Sequence, residues 1–424
     1  MTYEQARARL AVLPTLEVKP GLERIRRLID RLGSPQAVYP VVHVAGTNGK
    51  GSVVAMVDSV LRRTGLRTGR YTSPELVDFR DRIAVDGEWI GEETFADIVE
   101  TMSASLDGDD APTLFEALTA MAFEYFRRRR VDIAVVEVGL GGRFDATNVV
   151  RPCVTALTTV SLDHTALLGT TVERIAWEKA GIAKRGVPLI LGSLPSKAEA
   201  VVRQVAREVS APVRSCDVEP VRTAVDWAGA TFRVEAADFP LRIELPLLGA
   251  WQTENLRVAL CIVRELRSSG FAIPQQAIVD GLNGVRWPGR LETVHESPRV
   301  LLDGAHNVAG AAGLADEVCR LVPERARRAL LFGVLRDKDA AGMLAALAPA
   351  FPSVTLCASQ SPRALPAEAL ATVARAVGIR HRTTDSVTRG VRDALATLPP
   401  EDVLVVAGSL TVIAEARRTL TERE

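Results

Sequence analysis

Short runs of valine, isoleucine and leucine alternate with longer segments of helical periodicity along almost the whole chain of 424 residues. This alternation is typical of strand–helix–strand units that build a mainly parallel sheet. We therefore expect an α/β protein. Between about residues 218 and 248 the apolar period shortens towards two, which predicts a small section of antiparallel hairpins.

A break in this pattern suggests where one domain ends. The segment VRWPGR at residues 285–290 contains both proline and glycine, and a new series of strand and helix patterns begins at Arg299. We expect an N-terminal domain over residues 1–292 and a C-terminal domain over residues 293–424. The chain is long enough for each domain to bury its own core.

The charged side chains balance, with 52 Lys+Arg against 52 Asp+Glu. A protein that depends on attraction to a phosphate backbone usually carries an overall positive field, so this balance disfavours nucleic acid as the main partner. The run Arg127 to Arg130 fits the carboxyl end of a helix instead, where cations complement the helix dipole.

The cysteines and the apolar segments indicate the cellular compartment in which the protein works. The five cysteines are far apart and form no C-x-x-C pair, which predicts neither a disulfide framework nor a zinc site. They are Cys153, Cys216, Cys261, Cys319 and Cys357. The N-terminal MTYEQARARL has no apolar core, and no stretch approaches a membrane-spanning length. We expect a soluble, cytoplasmic protein with no membrane partner.

The loop GTNGKGS at residues 46–52, here named the glycine-rich loop, lies between a predicted strand, Val41 to Ala45, and a predicted helix, Val53 to Arg63. Such a loop can direct backbone N–H groups at phosphate oxygens, while a lysine neutralises them and a hydroxyl holds magnesium. Lys50 and Ser52 are the candidates for these two roles.

The loop departs from the strict phosphate-loop spacing at two positions. Val44 stands where the first glycine belongs, and Gly51 follows the lysine. A glycine-rich turn without a ligand is therefore an alternative that the loop alone leaves open.

Further motifs follow the loop in a fixed order along the chain. They are YTSP (71–74), EVGLGGRFDATN (137–148), SLDHT (161–165), EKAGI (178–182), PGR (288–290) and DGAHN (303–307). The ordered set resembles the folylpolyglutamate synthase and dihydrofolate synthase family, which belongs with the Mur ligases. The resemblance covers the chain from about Val41 to about Arg417. It implies an N-terminal P-loop ATPase domain and a C-terminal Rossmann-like domain.

The resemblance implies an ATP-dependent ligase that adds L-glutamate to dihydropteroate, to reduced folates, or to both. ATP would phosphorylate the substrate carboxylate, and the amine of glutamate would attack the acyl phosphate, giving ADP and phosphate. Negative charge accumulates on oxygen in both steps, so cations and N–H dipoles fixed in advance suit the reaction.

The resemblance also assigns roles to residues. The ATP contacts would be Gly46, Thr47, Asn48, Gly49, Lys50, Gly51, Ser52, Asn255, Arg290 and Asp303. The ligands of two Mg²⁺ ions would be Ser52, Ser73, Glu137, His164 and, if carbamylated by carbon dioxide, Lys179. The catalytic residues would be Lys50, Glu137, His164, Lys179 and His306. The folate and glutamate contacts would be Thr113, Phe115, Asp145, His306 and Ser409. The resemblance leaves open whether a monovalent cation also takes part.

Residue chemistry supports part of this assignment. Ser73, Glu137 and His164 each lie near the end of a predicted strand, the sheet edge where sites form. A carboxylate inside IAVVEVGL needs a partner, because burying it alone costs several kcal/mol. For the others, alternatives remain: a hydrogen-bonded loop histidine, a surface lysine at Lys179, a helix cap at Ser409, and a core aromatic at Phe115.

Three positions depart from the family pattern: Glu75 and Trp251, where histidine is usual, and Val308, where proline is usual. Two other functions are alternatives. A Mur-type peptidoglycan ligase usually carries a separate UDP-sugar domain, and about 45 residues before Gly46 are too few for one. A non-catalytic nucleotide-binding regulator is expected to lose part of the site, whereas Lys50, Glu137, His164, Lys179 and Arg290 all match the family pattern. We expect a monomer whose partners are small molecules.

Overall fold

The structure is a computed structural model that describes residues 1–14, 21–108, 110–235, 241–352 and 354–421. The chain forms two compact units, each with its own sheet and core. The first unit contains Met1–Arg222, Phe232–Leu245 and Thr253–Val285. The second unit contains Thr223–Thr231, Pro246–Gln252 and Arg286–Glu424.

The strands of the described residues are β1 (Val41–Ala45), β2 (Thr68–Tyr71), β3 (Ile83–Val85), β4 (Glu88–Trp89), β5 (Ile133–Glu137), β6 (Val154–Leu157), β7 (Leu189–Leu191), β8 (Val213–Arg214), β9 (Glu219–Asp226), β10 (Gly229–Glu235), β11 (Leu241–Leu245), β12 (Glu292–Glu296), β13 (Arg299–Asp303), β14 (Arg328–Phe332), β15 (Val354–Leu356), β16 (His381–Thr383) and β17 (Val403–Ala407).

The α-helices are α1 (Tyr3–Ala11), α2 (Glu23–Arg31), α3 (Lys50–Arg62), α4 (Glu92–Met102), α5 (Leu114–Arg129), α6 (Thr165–Leu168), α7 (Val172–Ala180), α8 (Ser196–Glu208), α9 (Gln252–Ser268), α10 (Gln275–Asn283), α11 (Val308–Leu321), α12 (Ala340–Leu347), α13 (Ala367–Ala376), α14 (Val387–Thr397) and α15 (Leu410–Thr421).

The sheet of the first unit has the strand order β4-β3-β2-β5-β1-β6-β7-β8. The six neighbouring strands β2-β5-β1-β6-β7-β8 pair in parallel. Strands β3 and β4 pair antiparallel at the edge beside β2. Every residue of β1, β5 and β6 is buried, as expected for strands covered on both faces. Because β1 lies between β5 and β6, the loops that follow these three strands meet at one edge of the sheet.

Two helices of the first unit carry residues of interest. Helix α3 starts within the glycine-rich loop, at Lys50, and its residues from Gly51 to Leu61 are buried. Helix α5 begins after Thr113 and ends with arginines in its last turn, followed by Arg130 in the left-handed region. The run of arginines thus lies at a helix end, as the sequence predicted.

Strands β9, β10 and β11 form a separate three-stranded sheet with β10 in the centre. Only Trp227 and Ala228 separate β9 from β10. A two-residue connection joins antiparallel neighbours, so this sheet is the antiparallel section that the period-two pattern predicted.

The sheet of the second unit has the order β12-β13-β17-β14-β15-β16. All pairs are parallel except β12 with β13. The strand and helix series that the sequence predicts after Arg299 is present, with its strands β13, β14, β15 and β17. The two sheets confirm the predicted α/β class.

One expectation about the cysteines is wrong. Cys216 and Cys261 form a disulfide, with their Cα atoms 5.8 Å apart, whereas Cys153, Cys319 and Cys357 are free. The partners lie 45 positions apart in sequence. Packing of α9 beside the segment after β8 brings them together, and spacing in the sequence cannot reveal such a contact. Among the described helices, none combines the length and the hydropathy needed to cross a membrane.

Candidate active site

The glycine-rich loop is fastened to the segment that follows β6. Thr47 N–H donates to Thr159 O at 2.8 Å, and Asn48 N–H donates to Thr159 Oγ1 at 3.0 Å. The Thr158 hydroxyl donates to Asn48 O at 2.6 Å. Gly46 has φ +154°, and a Cβ there would overlap Thr158 Oγ1. The loop therefore passes too close to Thr158, the residue after β6, to accept a side chain at Gly46.

The amino end of α3 is open to an anion. Gly49 occupies the cap position with φ +88°, and none of the described side chains caps the helix. A Cβ at Gly49 would overlap Asn255 Oδ1, so the amide of Asn255 on α9 lies directly against the loop. Ser52 is buried in the first turn. Uncapped first-turn N–H groups are the usual phosphate-binding groups of such a loop.

Lys50 and Glu137 form the charged centre of this site. Lys50 Nζ lies 3.2 Å from both Gly46 O and Thr47 O and 4.0 Å from Glu137 Oε1. Glu137, the last residue of β5, is 4% exposed, and its Oε2 accepts a bond from Ser73 N–H at 3.2 Å. The buried carboxylate thus has the cation that its burial requires.

Lys179 approaches the same loop from α7. Its Nζ donates to Gly46 O at 2.9 Å, and the residue is 4% exposed. Burial, and after it the charge of Lys50, lower the pKa of Lys179 to about 7, although Asp163 and Asp145 act in the opposite direction. A substantial fraction of this amine is therefore neutral at neutral pH.

His164 lies in the loop between β6 and α6. It adopts a left-handed conformation, with φ 48°, and its N–H donates to Asp163 Oδ1 at 2.9 Å. The same loop is tied to the glycine-rich loop, because Ser161 N–H donates to Thr47 Oγ1 at 3.1 Å. The structure brings the loops of Lys50, Glu137 and His164 to one edge of the sheet.

Thr113 and Phe115 lie at the start of α5. The Thr113 hydroxyl accepts a bond from Glu116 N–H at 3.2 Å, in a capping box. The ring of the half-buried Phe115 lies so close to Gly139 that a Cβ there would overlap it. Thr113 thus caps α5, and Phe115 packs on the loop that follows β5.

Asp145 is buried and is bonded within its own loop. Its carboxylate accepts from Leu140 N–H at 2.8 Å and from Thr147 N–H at 3.0 Å, and burial raises its pKa. The Thr147 hydroxyl lies 2.8 Å from His43 Nε2. His43 is fully buried in β1, and burial lowers its pKa to about 3. These contacts fix the loop that follows Glu137.

Four predicted residues lie at the carboxyl edge of the second unit's sheet. Asp303 ends β13, is buried, and accepts bonds from Leu291 N–H and Ala305 N–H, both at 2.8 Å. Burial raises the pKa of Asp303, and the nearby Arg290 opposes that rise. A Cβ at Gly304 would overlap Arg290 Nη1. The arginine and the aspartate thus form one cluster.

The other two residues lie on neighbouring loops. His306 Nδ1 is 2.8 Å from Gly304 O. Ser409, which follows β17, is buried and accepts a bond from Thr411 N–H at 3.1 Å. Since β13 and β17 are paired in parallel, their following loops are neighbours. The capping alternative for Ser409 agrees with its observed bond.

The three departures from the family pattern have defined surroundings. Glu75 Oε2 accepts from Arg82 Nε at 2.6 Å, so it is paired with a buried guanidinium. Trp251 lies against Gly313 within the second unit. Val308 is the first residue of α11 and is exposed.

Sequence reasoning missed Thr158, Thr159 and Asp163. Their signal was an apolar run, Val154–Leu157, because sites in parallel sheets form where such strands end. Within the described part of the chain, no three His, Cys, Asp or Glu side chains form a group that could hold a metal by themselves. The predicted metal set relies on hydroxyls and a lysine as well.

Comparison with known proteins identifies the family. Residues 44–263 match the Mur ligase middle domain, and residues 289–410 match the Mur ligase glutamate ligase domain. The folylpolyglutamate synthase of Lacticaseibacillus casei is 36% identical, over 99% of both chains. A probable bifunctional folylpolyglutamate synthase/dihydropteroate synthase of Haloferax volcanii is 39% identical, and this chain spans 51% of its length. A second such relative, from Halobacterium salinarum, is also matched over about half of its length, 52%.

Solved structures give the same result. FolC from Escherichia coli in complex with DHPP and ADP is 33% identical, with a TM-score of 0.88 over 100% of this chain and 98% of that one. The Mycobacterium tuberculosis folylpolyglutamate synthase complexed with ADP and AMPPCP is 37% identical, with the same TM-score and coverage. The chain therefore belongs to the folylpolyglutamate synthase and dihydrofolate synthase family of Mur ligases.

Proposed function

We propose that this chain is an ATP-dependent ligase that adds L-glutamate to dihydropteroate, to reduced folates, or to both. The substrate carboxylate is phosphorylated by ATP, and the glutamate amine displaces phosphate from the acyl phosphate. The products are the amide, ADP and phosphate. The family relationship supports this reaction, as do the relatives solved with ADP and with DHPP.

One observation carries the proposal. Lys50 lies 4.0 Å from Glu137 and bonds to Gly46 O, to which Lys179 also donates. Two lysines and a carboxylate thus surround an uncapped helix start in a buried setting. Electrostatic groups fixed before the reaction stabilise developing oxyanions more strongly than groups that must reorient. This arrangement suits phosphoryl transfer.

The donor chemistry fits magnesium. Mg²⁺ prefers oxygen ligands and usually binds through one or two carboxylates together with substrate phosphates. Glu137, with the hydroxyls of Ser52 and Ser73 and the imidazole of His164, would hold one ion. When bound, it would neutralise phosphate charge. We assign a second ion to Lys179 in carbamylated form.

The environment of Lys179 supports carbamylation. Only the neutral amine attacks carbon dioxide, and burial lowers the pKa of Lys179 to about 7. The adduct would carry a carboxylate where the free lysine carries a cation. Lys179→Ala is expected to abolish ligation, with partial recovery in added short carboxylates. Full activity of Lys179→Ala without rescue would remove this assignment.

In the second unit, we assign Arg290 and Asp303 to ATP, and His306 and Ser409 to the incoming glutamate. Arg290 suits a phosphate because its planar fork can donate two bonds at once. In the first unit, Asn255 is assigned to the nucleotide. We assign Phe115, Thr113 and Asp145 to the folate-like substrate. We expect a monomeric enzyme in the cytoplasm.

The test offers dihydropteroate and tetrahydrofolate in separate reactions with ATP, Mg²⁺ and glutamate, and follows phosphate release and product mass. Lys50→Met is expected to reduce turnover by at least about a thousandfold, as for other groups that stabilise transferred charge. The matched control is Lys197→Met, at a side chain that is 81% exposed, which should keep full activity.

Other results would assign another function. No product from either substrate would reject the substrate class and reopen the peptidoglycan ligase alternative. Release of ADP without an amide would favour a nucleotide-dependent regulator. Equal activity of Lys50→Met and the native chain would refute the placement of the site.

A further inference from the structure

A second charged site lies at the edge of the first unit's sheet opposite the glycine-rich loop. A cavity of about 590 Å³ opens where α3 ends and where β2 and β5 begin. We name it the arginine cavity. It is lined by Arg62, Arg63, Gly65, Leu66, Arg67, Asp86, Arg130 and Asp132. Four guanidinium groups thus face two carboxylates in a chain whose formal net charge is zero.

The two carboxylates of the cavity are already engaged by backbone groups. Asp86 Oδ1 accepts a bond from Thr68 N–H at 2.9 Å. Asp132 Oδ2 accepts a bond from Arg67 N–H at 2.7 Å, and Asp86 Oδ2 is 3.8 Å from Arg67 Nε. These bonds hold the acids at the strand starts. With two carboxylates against four guanidinium groups, the lining has a surplus of positive charge.

Two of the guanidinium groups are held in place by the protein. Arg62 Nε donates to Asp58 Oδ2 at 3.2 Å, and Asp58 is fully buried. A Cβ at Gly87 would lie 2.7 Å from Arg62 Nη1, so the guanidinium packs on that glycine. Arg67 Nη1 donates to Arg129 O at 3.0 Å. A ligand would find these groups already ordered, which lowers the entropic cost of binding.

The other two guanidinium groups are available. Within the residues that the structure describes, the side chains of Arg63 and Arg130 form neither a hydrogen bond nor an ion pair. Both residues are exposed. The buried Asp58 also lies near Arg70, with 3.6 Å between Oδ2 and Nη1. Because this pair has one charge of each sign, including it leaves the positive surplus of the lining unchanged.

We propose that the arginine cavity binds a small, multiply charged anion, either an oligophosphate or a chain of carboxylates. Guanidinium groups donate paired bonds to both kinds of oxyanion. The cavity has the volume of a small-ligand site. The site does not depend on the proposed ligase activity, because it lies at the other end of α3 and shares no residue with the glycine-rich loop.

The test is calorimetric titration of the full chain with inorganic tripolyphosphate and, separately, with γ-linked tetraglutamate, both in excess ADP. The variant Arg63→Gln/Arg130→Gln is expected to weaken binding by at least about tenfold, because charge-assisted bonds are lost. Higher salt is expected to weaken binding to the native chain. The control Arg380→Gln/Arg392→Gln removes the same charge from exposed residues of the second unit. Thermal unfolding checks that both variants fold.

The outcomes separate the two ligand sources. Binding of tripolyphosphate alone would assign the site to phosphate, and binding of tetraglutamate alone would assign it to a carboxylate chain. The proposal is overturned if neither anion binds or if the Arg63→Gln/Arg130→Gln variant binds as tightly as the native chain. An equal loss in the control variant would also overturn it, since net charge alone would then explain the effect.

Discussion

The buried ammonium of Lys179 should make the stability of this protein depend on pH in a defined way. Burial lowers its pKa from 10.5 to about 7. At about 1.4 kcal/mol per unit, the charged form costs about 4–5 kcal/mol of folding free energy. The cost is fully present below about pH 7, where the native state must hold the proton. It disappears as the pH rises towards the pKa of the unfolded chain.

The direction follows from proton binding. Between the two pKa values the unfolded chain binds one proton more than the native chain at this position, so native stability rises with pH. We expect the free energy of unfolding of the native sequence to rise by about 2–3 kcal/mol relative to Lys179→Met between about pH 7 and about pH 9. Lys179→Met also loses the hydrogen bond to Gly46 O, which changes the free energy of unfolding by an amount that does not depend on pH.

The assay is denaturant unfolding of both proteins across this pH range, in buffers freed of carbon dioxide so that no carbamate forms. The control is Lys197→Met, which removes an exposed lysine. The difference in unfolding free energy between this variant and the native sequence should not change with pH. Parallel curves for the native sequence and Lys179→Met would show that this amine is not held in a desolvating site. Lys179 would then lack the neutral amine that carbamylation near neutral pH requires.

Two further substitutions test packing around the site. Glu75→Ala leaves the Arg82 guanidinium, 9% exposed as a side chain, without its carboxylate, and should cost about 2–4 kcal/mol in unfolding experiments. A coupling energy below about 0.5 kcal/mol in a double-mutant cycle with Arg82→Met would contradict this. Gly49→Ala should weaken ADP binding by at least about tenfold and destabilise the fold by about 1–3 kcal/mol. Gly65→Ala is the matched control, because its φ is similar, +84° against +88°, but no atom of the described residues beyond its chain neighbours lies within 4 Å of an added Cβ. Equal effects of the two substitutions on ADP binding would rule out the steric explanation.

Much of the first unit could be predicted from local pattern. Strand β1 has the predicted bounds, Val41–Ala45, because a fully buried parallel strand is a continuous apolar run. Helix α3, predicted from Val53, starts three residues earlier, at Lys50. Its first turn consists of glycine-rich loop residues, which carry no apolar periodicity.

Contacts between distant positions could not be predicted in this way. The bond from Lys179 to Gly46 O spans 133 positions, and the disulfide between Cys216 and Cys261 spans 45. Such contacts depend on how helices pack on the sheet, which one sequence does not encode in any local spacing. The motif order indicated the residue set, whereas its geometry and the pKa of Lys179 required the fold.

A single backbone oxygen, Gly46 O, accepts hydrogen bonds from both Lys50 and Lys179. An anion that draws Lys50 away from this oxygen also removes a cation that disfavours protonation of Lys179. Ligand affinity and proton affinity are then linked, and the linkage is reciprocal. Nucleotide binding by the unmodified chain should take up protons near neutrality, so the same loop that grips a phosphate also reports the acidity of the solution.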